Sequence, residues 1–421
     1  MPQLHPITAE ECDEQARDTA EAVARRSYGK LVAFLAARTH DVAAAEDALS
    51  EAFTSALTDW PRNGCPANPE GWLLTVARRK LIDMVRAGNR QQLAADELQS
   101  VELAVAAPAS GELPDERLAM MFACAHPAID AGIRAPLILQ VVLGLDAKAI
   151  AAAFLTSPGA MGKRLVRAKE KIRETRIPFR VPGSQELSPR LDAVLDAIYA
   201  AFAEGWSDPG GTDVARRDLT DETLFLARLV VELLPEQPEA LGLCALLLHA
   251  EARRKARRNK EGEFVPLANQ DPGLWNHQQI ASAETLLHRA SAMAAIGRFQ
   301  LEAALQSAHV DRCRTGALNW AHVVDLYDAL YELTSSPVVL INRALAVAEL
   351  YGAEEALKAM PDLASDDRLA GYQPFWAARA ELLTRTSTHE EARRAYRIAI
   401  GLERDPAVRR FLEHRLSELA D

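Results

Sequence analysis

The side chains best placed to do chemistry in this sequence are cations. Lys163, Arg167 and Lys171 recur every four residues with Arg164 beside them, so a helix would present them as one outward stripe. Met161, Leu165, Ala168 and Ile172 fall on its inward face. Residues 134–180 hold ten basic and three acidic side chains, a net +7 inside a chain of net −11. A local field of that size fits phosphate, although a solvated basic face would look similar. Small residues (Gly159, Ala160, Gly162) open this helix, which would let its backbone approach a DNA groove closely. A second basic group, Arg78, Arg79, Lys80, Arg86 and Arg90, is opposed beyond the first turn of its helix only by Asp83. Trp72 stands near the start of that helix, beside the Pro/Asn/Gly-rich stretch 61–71. An aromatic next to a polar loop suits stacking on an unpaired base, and it suits a core position equally well. Glu46, Asp47 and Glu51 line the polar face of an amphipathic helix, either as a solvent-facing row or as a docking surface for a basic partner.

Other chemistry is poorly represented. Cys12, Cys65, Cys124, Cys244 and Cys313 are odd in number and widely spaced, giving neither a disulfide framework nor a CxxC knuckle. Cys124 and His126 stand two apart, off any common helix face, and no second pair completes a metal site. No Walker loop, GxSxG or HExxH occurs, so no catalytic residue, metal or cofactor is expected. The net charge argues against indiscriminate nucleic-acid binding. No run of about 18 apolar residues appears, and the first residues lack a basic segment followed by an apolar one, so a cytoplasmic protein without membrane contact is expected.

The elements that must position these residues read as helices. Alanine fills 77 of 421 positions against 21 glycines and 22 prolines, which favours an all-α chain. Residues 20–60 read as two helices broken at His40-Asp41, the second with Ala44, Ala48, Leu49, Ala52, Phe53, Ala56 and Leu57 inward. A third helix follows the 61–71 loop, with Leu73, Val76, Ala77, Leu81 and Val85 inward. Asp146–Phe154 and Gly159–Arg176, joined by a turn in which Ser157 caps and Pro158 opens the second helix, make a helix-turn-helix. From 190 onward helix follows helix. Trp376 through Pro406 fits one tetratricopeptide unit, with weaker copies around Trp320–Pro337 and Ala344–Leu357, and a generic helical bundle would share many of these features. The run Arg253–Arg258 reads as a solvated helix end.

Ala45-Glu46-Asp47-Ala48-Leu49-Ser50-Glu51-Ala52-Phe53, followed by Pro69-Glu70-Gly71-Trp72-Leu73-Leu74-Thr75-Val76-Ala77-Arg78-Arg79-Lys80-Leu81-Ile82-Asp83, resembles region 2 of a group IV (extracytoplasmic-function) bacterial sigma factor. The helix ending Arg164-Leu165-Val166-Arg167-Ala168-Lys169-Glu170-Lys171-Ile172-Arg173 resembles region 4 of that family. The remainder is similar to the tetratricopeptide-like extension of one subgroup. The resemblance implies region 2 over 15–90, a linker over 91–113, region 4 over 114–177, a linker over 178–189 and the extension over 190–421. It implies that Glu46, Asp47, Glu51 and Phe53 dock on the β′ clamp helices of core RNA polymerase, whose β flap is a further partner. It assigns Asn63, Asn68, Trp72, Arg78, Arg79, Asp83 and Arg86 to the −10 element, with the 61–68 loop capturing a flipped base. It assigns Ser157, Ala160, Met161, Lys163, Arg164, Arg167 and Lys171 to the −35 element. Gly162 departs from the polar or basic residue common there, which shifts readout onto Lys163, Arg164 and Arg167. The expected protein is therefore a promoter-specificity factor rather than an enzyme, its extension inhibiting or supporting activity through a regulatory protein or ligand. The alternative is a helix-turn-helix regulator on a repeat scaffold, acting without polymerase.

Overall fold

The computed structural model describes residues 9–88, 115–154, 156–206, 214–315, 319–360 and 367–419. Arg90, the 91–113 linker and the side chains of Val85 and Arg86 lie outside the described residues. Every regular element is a helix, as expected of an all-α chain, and one isolated bridge pairs Arg258 with Phe264. Among the described residues no helix is long and apolar enough to cross a membrane. The described residues form two compact units, one up to 206 together with 214–226, the other from 227 onward.

The first unit opens with α1 (Ala9–Thr39), α2 (Val42–Asn63) and α3 (Pro69–Gly88). His40 takes a left-handed φ of 53° and Asp41 caps α2, its Oδ1 accepting from the Ala44 N–H at 3.0 Å. Val42, Ala45, Ala48, Leu49, Ala52, Ala56 and Trp60 form the buried stripe, whose alanines let α2 lie close against α1 and α3. Leu57 was expected on that stripe and is 48% exposed, because the buried row tracks from Ala56 to Trp60. The loop expected from 61 begins three residues later. Pro61 sits in the last turn of α2, where its missing N–H costs one bond, and Gly64 (φ 84°) closes the helix by donating to the Trp60 carbonyl.

Four further helices follow: α4 (Arg117–Cys124), α5 (Ala131–Leu143), α6 (Ala147–Ala153) and α7 (Pro158–Thr175). Then come α8 (Ser184–Trp206) and α9 (Val214–Leu233), the latter divided between the units after residue 226. Gly29 of α1 meets the Val142 backbone of α5 so closely that a Cβ would stand 1.8 Å from the Val142 oxygen, so only glycine permits this crossing. The apolar row Leu187, Leu191, Val194, Leu195, Ile198 and Phe202 of α8 is buried, and α8 packs on α4 and α5. Residues 190–206 thus belong to the first compact unit, although the extension is expected to begin at 190.

The second unit runs through α10 (Pro238–Ala252), α11 (His277–Ala292), α12 (Arg298–Thr315), α13 (Trp320–Thr334) and α14 (Pro337–Tyr351). It continues with α15 (Ala353–Ala359), α16 (Gln373–Arg385), α17 (His389–Leu402) and α18 (Pro406–Ser417). Each packs mainly on helices near it in sequence, around clusters that include Val323, Ile341, Ala344, Phe375 and Leu382, then Ala380, Ala395, Tyr396 and Leu412. The 253–258 run is not a solvated end. Arg253 bonds Gln306, Arg254 pairs with Glu251 at 2.8 Å, and Arg258 pairs with Asp405, the cap of α18. Burial and the neighbouring arginines push Arg257 down to about 10. These cations tie distant parts of one unit together.

Candidate functional site

The start of α3 is anchored on α1 through the Ser27 hydroxyl, which donates to the Glu70 carboxylate. Cys65 in the connecting loop lies 3.5 Å from the Thr19 hydroxyl of α1, and Asn68 Oδ1 accepts from the Gly71 N–H at 2.9 Å. These bonds frame an open cavity of about 510 Å³ lined by Pro66, Asn68, Gly71, Trp72, Thr75, Val76 and Arg79. Trp72 serves both readings offered for it. Its ring meets buried Trp60 edge-on at 5.5 Å and also lines the cavity. Of the residues expected to meet the −10 element, Asn68, Trp72 and Arg79 come together here. Arg78 turns toward α1, its guanidinium 5.0 Å above the Phe34 ring, with Arg38 stacked on the same ring at 3.5 Å. Burial first, then the Arg38 charge, lowers its pKa. Asn63 ends α2 and donates to Asp59 Oδ1 at 2.7 Å; neither it nor exposed Asp83 lines the cavity. Pro66 and Thr75 were not singled out in the sequence and Val76 was read only as a core position, because apolar or small residues beside a tryptophan carry no signal of their own.

In the helix-turn-helix, α7 begins as its chemistry dictates: Ser157 Oγ accepts from the Ala160 N–H at 3.3 Å and Pro158 occupies the first turn. Met161, Leu165, Ala168 and Ile172 are buried. That corrects one assignment, since Met161 has 0% exposure and cannot touch DNA. Ser157, Ala160, Lys163, Arg164, Arg167 and Lys171 are exposed, and nothing lies within 4 Å of where a Cβ would stand at Gly159 or Gly162. Arg164 approaches Asp130 at 3.5 Å, so part of its charge is already met.

The acidic face of α2 is divided. Asp47 is exposed, Glu51 pairs with Lys80 of α3 at 3.1 Å, and Phe53 is half-buried. Glu46 lies deeper, 2.6 Å from Lys169 Nζ of α7, the two side chains 17% and 13% exposed. Burial pushes the Glu46 carboxyl above its usual range, with Lys169 opposing and Asp47 reinforcing the shift. Lys169, one of the ten basic residues of 134–180, turns inward between the exposed stripe and the buried row. Cys124 is fully buried and His126 Nδ1 accepts from the Ala128 N–H at 3.1 Å; among the described residues no group of three or more His, Cys, Asp or Glu could hold a metal ion.

Residues 23–91, which contain the acidic face, the loop and the cavity, match the family model of sigma-70 region 2. That match supports a sigma-70 family sigma factor. Region 2 is the part through which such a sigma factor binds core RNA polymerase and meets promoter DNA. Residues 190–291 match a family of unknown function (DUF6596). The chain is 37% identical over 383 residues to the uncharacterized protein R00370 of Rhizobium meliloti (strain 1021), covering 89% of this chain and 90% of that protein, so the two share a family along most of their length. No solved structure matches it.

Proposed function

We propose that this protein is a group IV sigma factor that directs polymerase to promoters by reading a −10 and a −35 element. The observation that carries the reading is the cavity in region 2 where Asn68, Trp72 and Arg79 converge. It offers an aromatic ring for stacking, an amide for a base edge and a cation for the backbone, which are the parts needed to hold an extruded base. Trapping that base offsets an unstacking cost of roughly a few kcal/mol, so melting proceeds by binding and needs no covalent step. The exposed cations Lys163, Arg164, Arg167 and Lys171 support a −35 role for α7, with phosphate contacts setting register and a few side chains reading base edges. Glu46, Asp47, Glu51 and Phe53 supply the docking surface for the β′ clamp helices, and the β flap receives the helix-turn-helix block. The sequential helix packing beyond 227 supports a tetratricopeptide-like extension, a platform for a regulatory protein or ligand in the cytoplasm. Reconstituted transcription tests this. Core polymerase with the purified protein should initiate at specific sites in a genomic library, whereas DNA binding by the free protein without any effect on core would point to a polymerase-independent regulator.

A further inference from the structure

One cation of α7 is spent on the acidic face of α2. Lys169 and Glu46 stand 123 residues apart in sequence and 2.6 Å apart in space, both largely enclosed. The contact is one of several between the two blocks. Arg173 approaches Asp41 at 3.9 Å, the His40 and Phe179 rings lie 5.8 Å apart, and α5 is seated on α1 at Gly29. A cavity of about 760 Å³ opens beside the pair, and both Glu46 and Lys169 line it together with Asp47, Ser50 and Tyr28. An incoming side chain can therefore reach Glu46 from the cavity, whose wall carries Glu21, Glu46 and Asp47 alongside the cations Arg25, Arg26 and Arg117. Glu46 also adjoins Asp47, which is exposed next to it on the same helix.

We propose that α7 is a built-in occupant of the docking face of α2, with Lys169 holding Glu46 until a basic helix of the polymerase takes its place. The proposal rests on the docking role given above to the acidic face. Lys169 occupies Glu46 Oε2 at 2.6 Å, so a partner's cation that takes that oxygen displaces Lys169 and couples engagement of α2 to release of α7. In the closed arrangement Lys163, Arg167 and Lys171 remain exposed while Glu46 is covered. What is withheld from the free protein is thus polymerase docking. Burial that holds the Glu46 carboxyl above its usual range, in spite of Lys169, fits a contact that offsets only part of its desolvation and is readily exchanged.

The experiment measures binding of full-length protein to core RNA polymerase. Lys169→Gln should bind about three- to tenfold tighter than wild type, and Lys169→Arg, which keeps the ion pair, should bind like wild type. A variant that keeps every charge of the site guards against loss of folding. His40→Cys/Phe179→Cys, with Cys12, Cys65 and Cys313 replaced by serine, is joined by a reducible bismaleimide that pins the segment after α7 to the break before α2. The joined protein should bind core at least about tenfold more weakly than the same protein after reduction. Equal binding before and after reduction would overturn the proposal. Asp47→Arg/Glu51→Arg separates it from its premise, because loss of binding in that variant keeps the docking role even if the pinned protein binds normally, and unchanged binding removes the premise itself.

Discussion

At the scale of single residues, Trp72 is the side chain on which the proposed chemistry turns. Base–aromatic stacking contributes roughly 1–3 kcal/mol, so Trp72→Ala should lower the equilibrium for promoter opening by one to two orders of magnitude. Trp72→Phe should retain most of it. Permanganate reactivity of −10 thymines reads this directly, and equal opening by wild type and Trp72→Ala would remove the residue from the site. The loss of the Trp60 contact adds a stability cost that a melting curve separates from the opening defect. Glu46 carries a pH signature. Its folded pKa lies above the ordinary 4.5, so the fold favours the protonated carboxyl. That contribution is complete below the ordinary value and is lost as pH rises through the raised one. Wild-type Tm should therefore fall relative to Glu46→Gln as pH rises from about 4.5 toward neutrality, and parallel curves would contradict the burial argument. Residue types gave much of this in advance, since a stripe of Lys163, Arg167 and Lys171 is legible from spacing alone. Lys169 was not, because its role depends on a partner 123 residues away.

At the scale of elements, helix starts were the most legible features. Ser157 was marked as a cap and accepts from the backbone N–H of Ala160, and Asp41, where the first two helices break, does the same from Ala44. Ser157→Ala should cost about 1 kcal/mol of stability in urea unfolding, whereas Ser157→Asp should cost almost nothing. A neutral result for alanine would mean that the turn before α7 is fixed by Pro158 and packing instead. Helix ends were harder to read. Pro61 looked like a loop residue and lies inside the last turn of α2, because a proline there forfeits only one backbone bond. The outward turn of Leu57 shows the same limit, since an alanine-rich helix has no bulky stripe to fix which apolar residues face in. The crossing of α1 and α5 at Gly29 left no trace in the pattern, because a close backbone approach is a property of the paths of two helices rather than of one.

At the scale of the whole molecule, fold class was plain from composition, while the extent of the first unit was not. The apolar row of α8 reads equally well as the first helix of a C-terminal array or as a cover for the helices before it, and the packing on α4 and α5 favours the second. A fragment ending at 182 would lose that cover, whereas one ending at 233 keeps α8 and the whole of α9. The longer fragment should unfold cooperatively, and the shorter should melt lower or aggregate; equal melting would show that α8 contributes little to the first unit. Transcription by the 1–233 fragment against the full chain then asks what the C-terminal helices do. A gain would mark them as inhibitory and a loss as supporting.

The central claim is that the acidic face of α2 docks this sigma factor on core RNA polymerase. Its most direct measurement is co-purification of core with tagged full-length protein, comparing wild type, Lys169→Gln and Asp47→Arg/Glu51→Arg. The account predicts capture by wild type, stronger capture by Lys169→Gln, and none by the double charge reversal, whose two carboxylates lie on the accessible part of the face. Capture of core by the double reversal at the wild-type level, or its absence from wild type and Lys169→Gln alike, would contradict it.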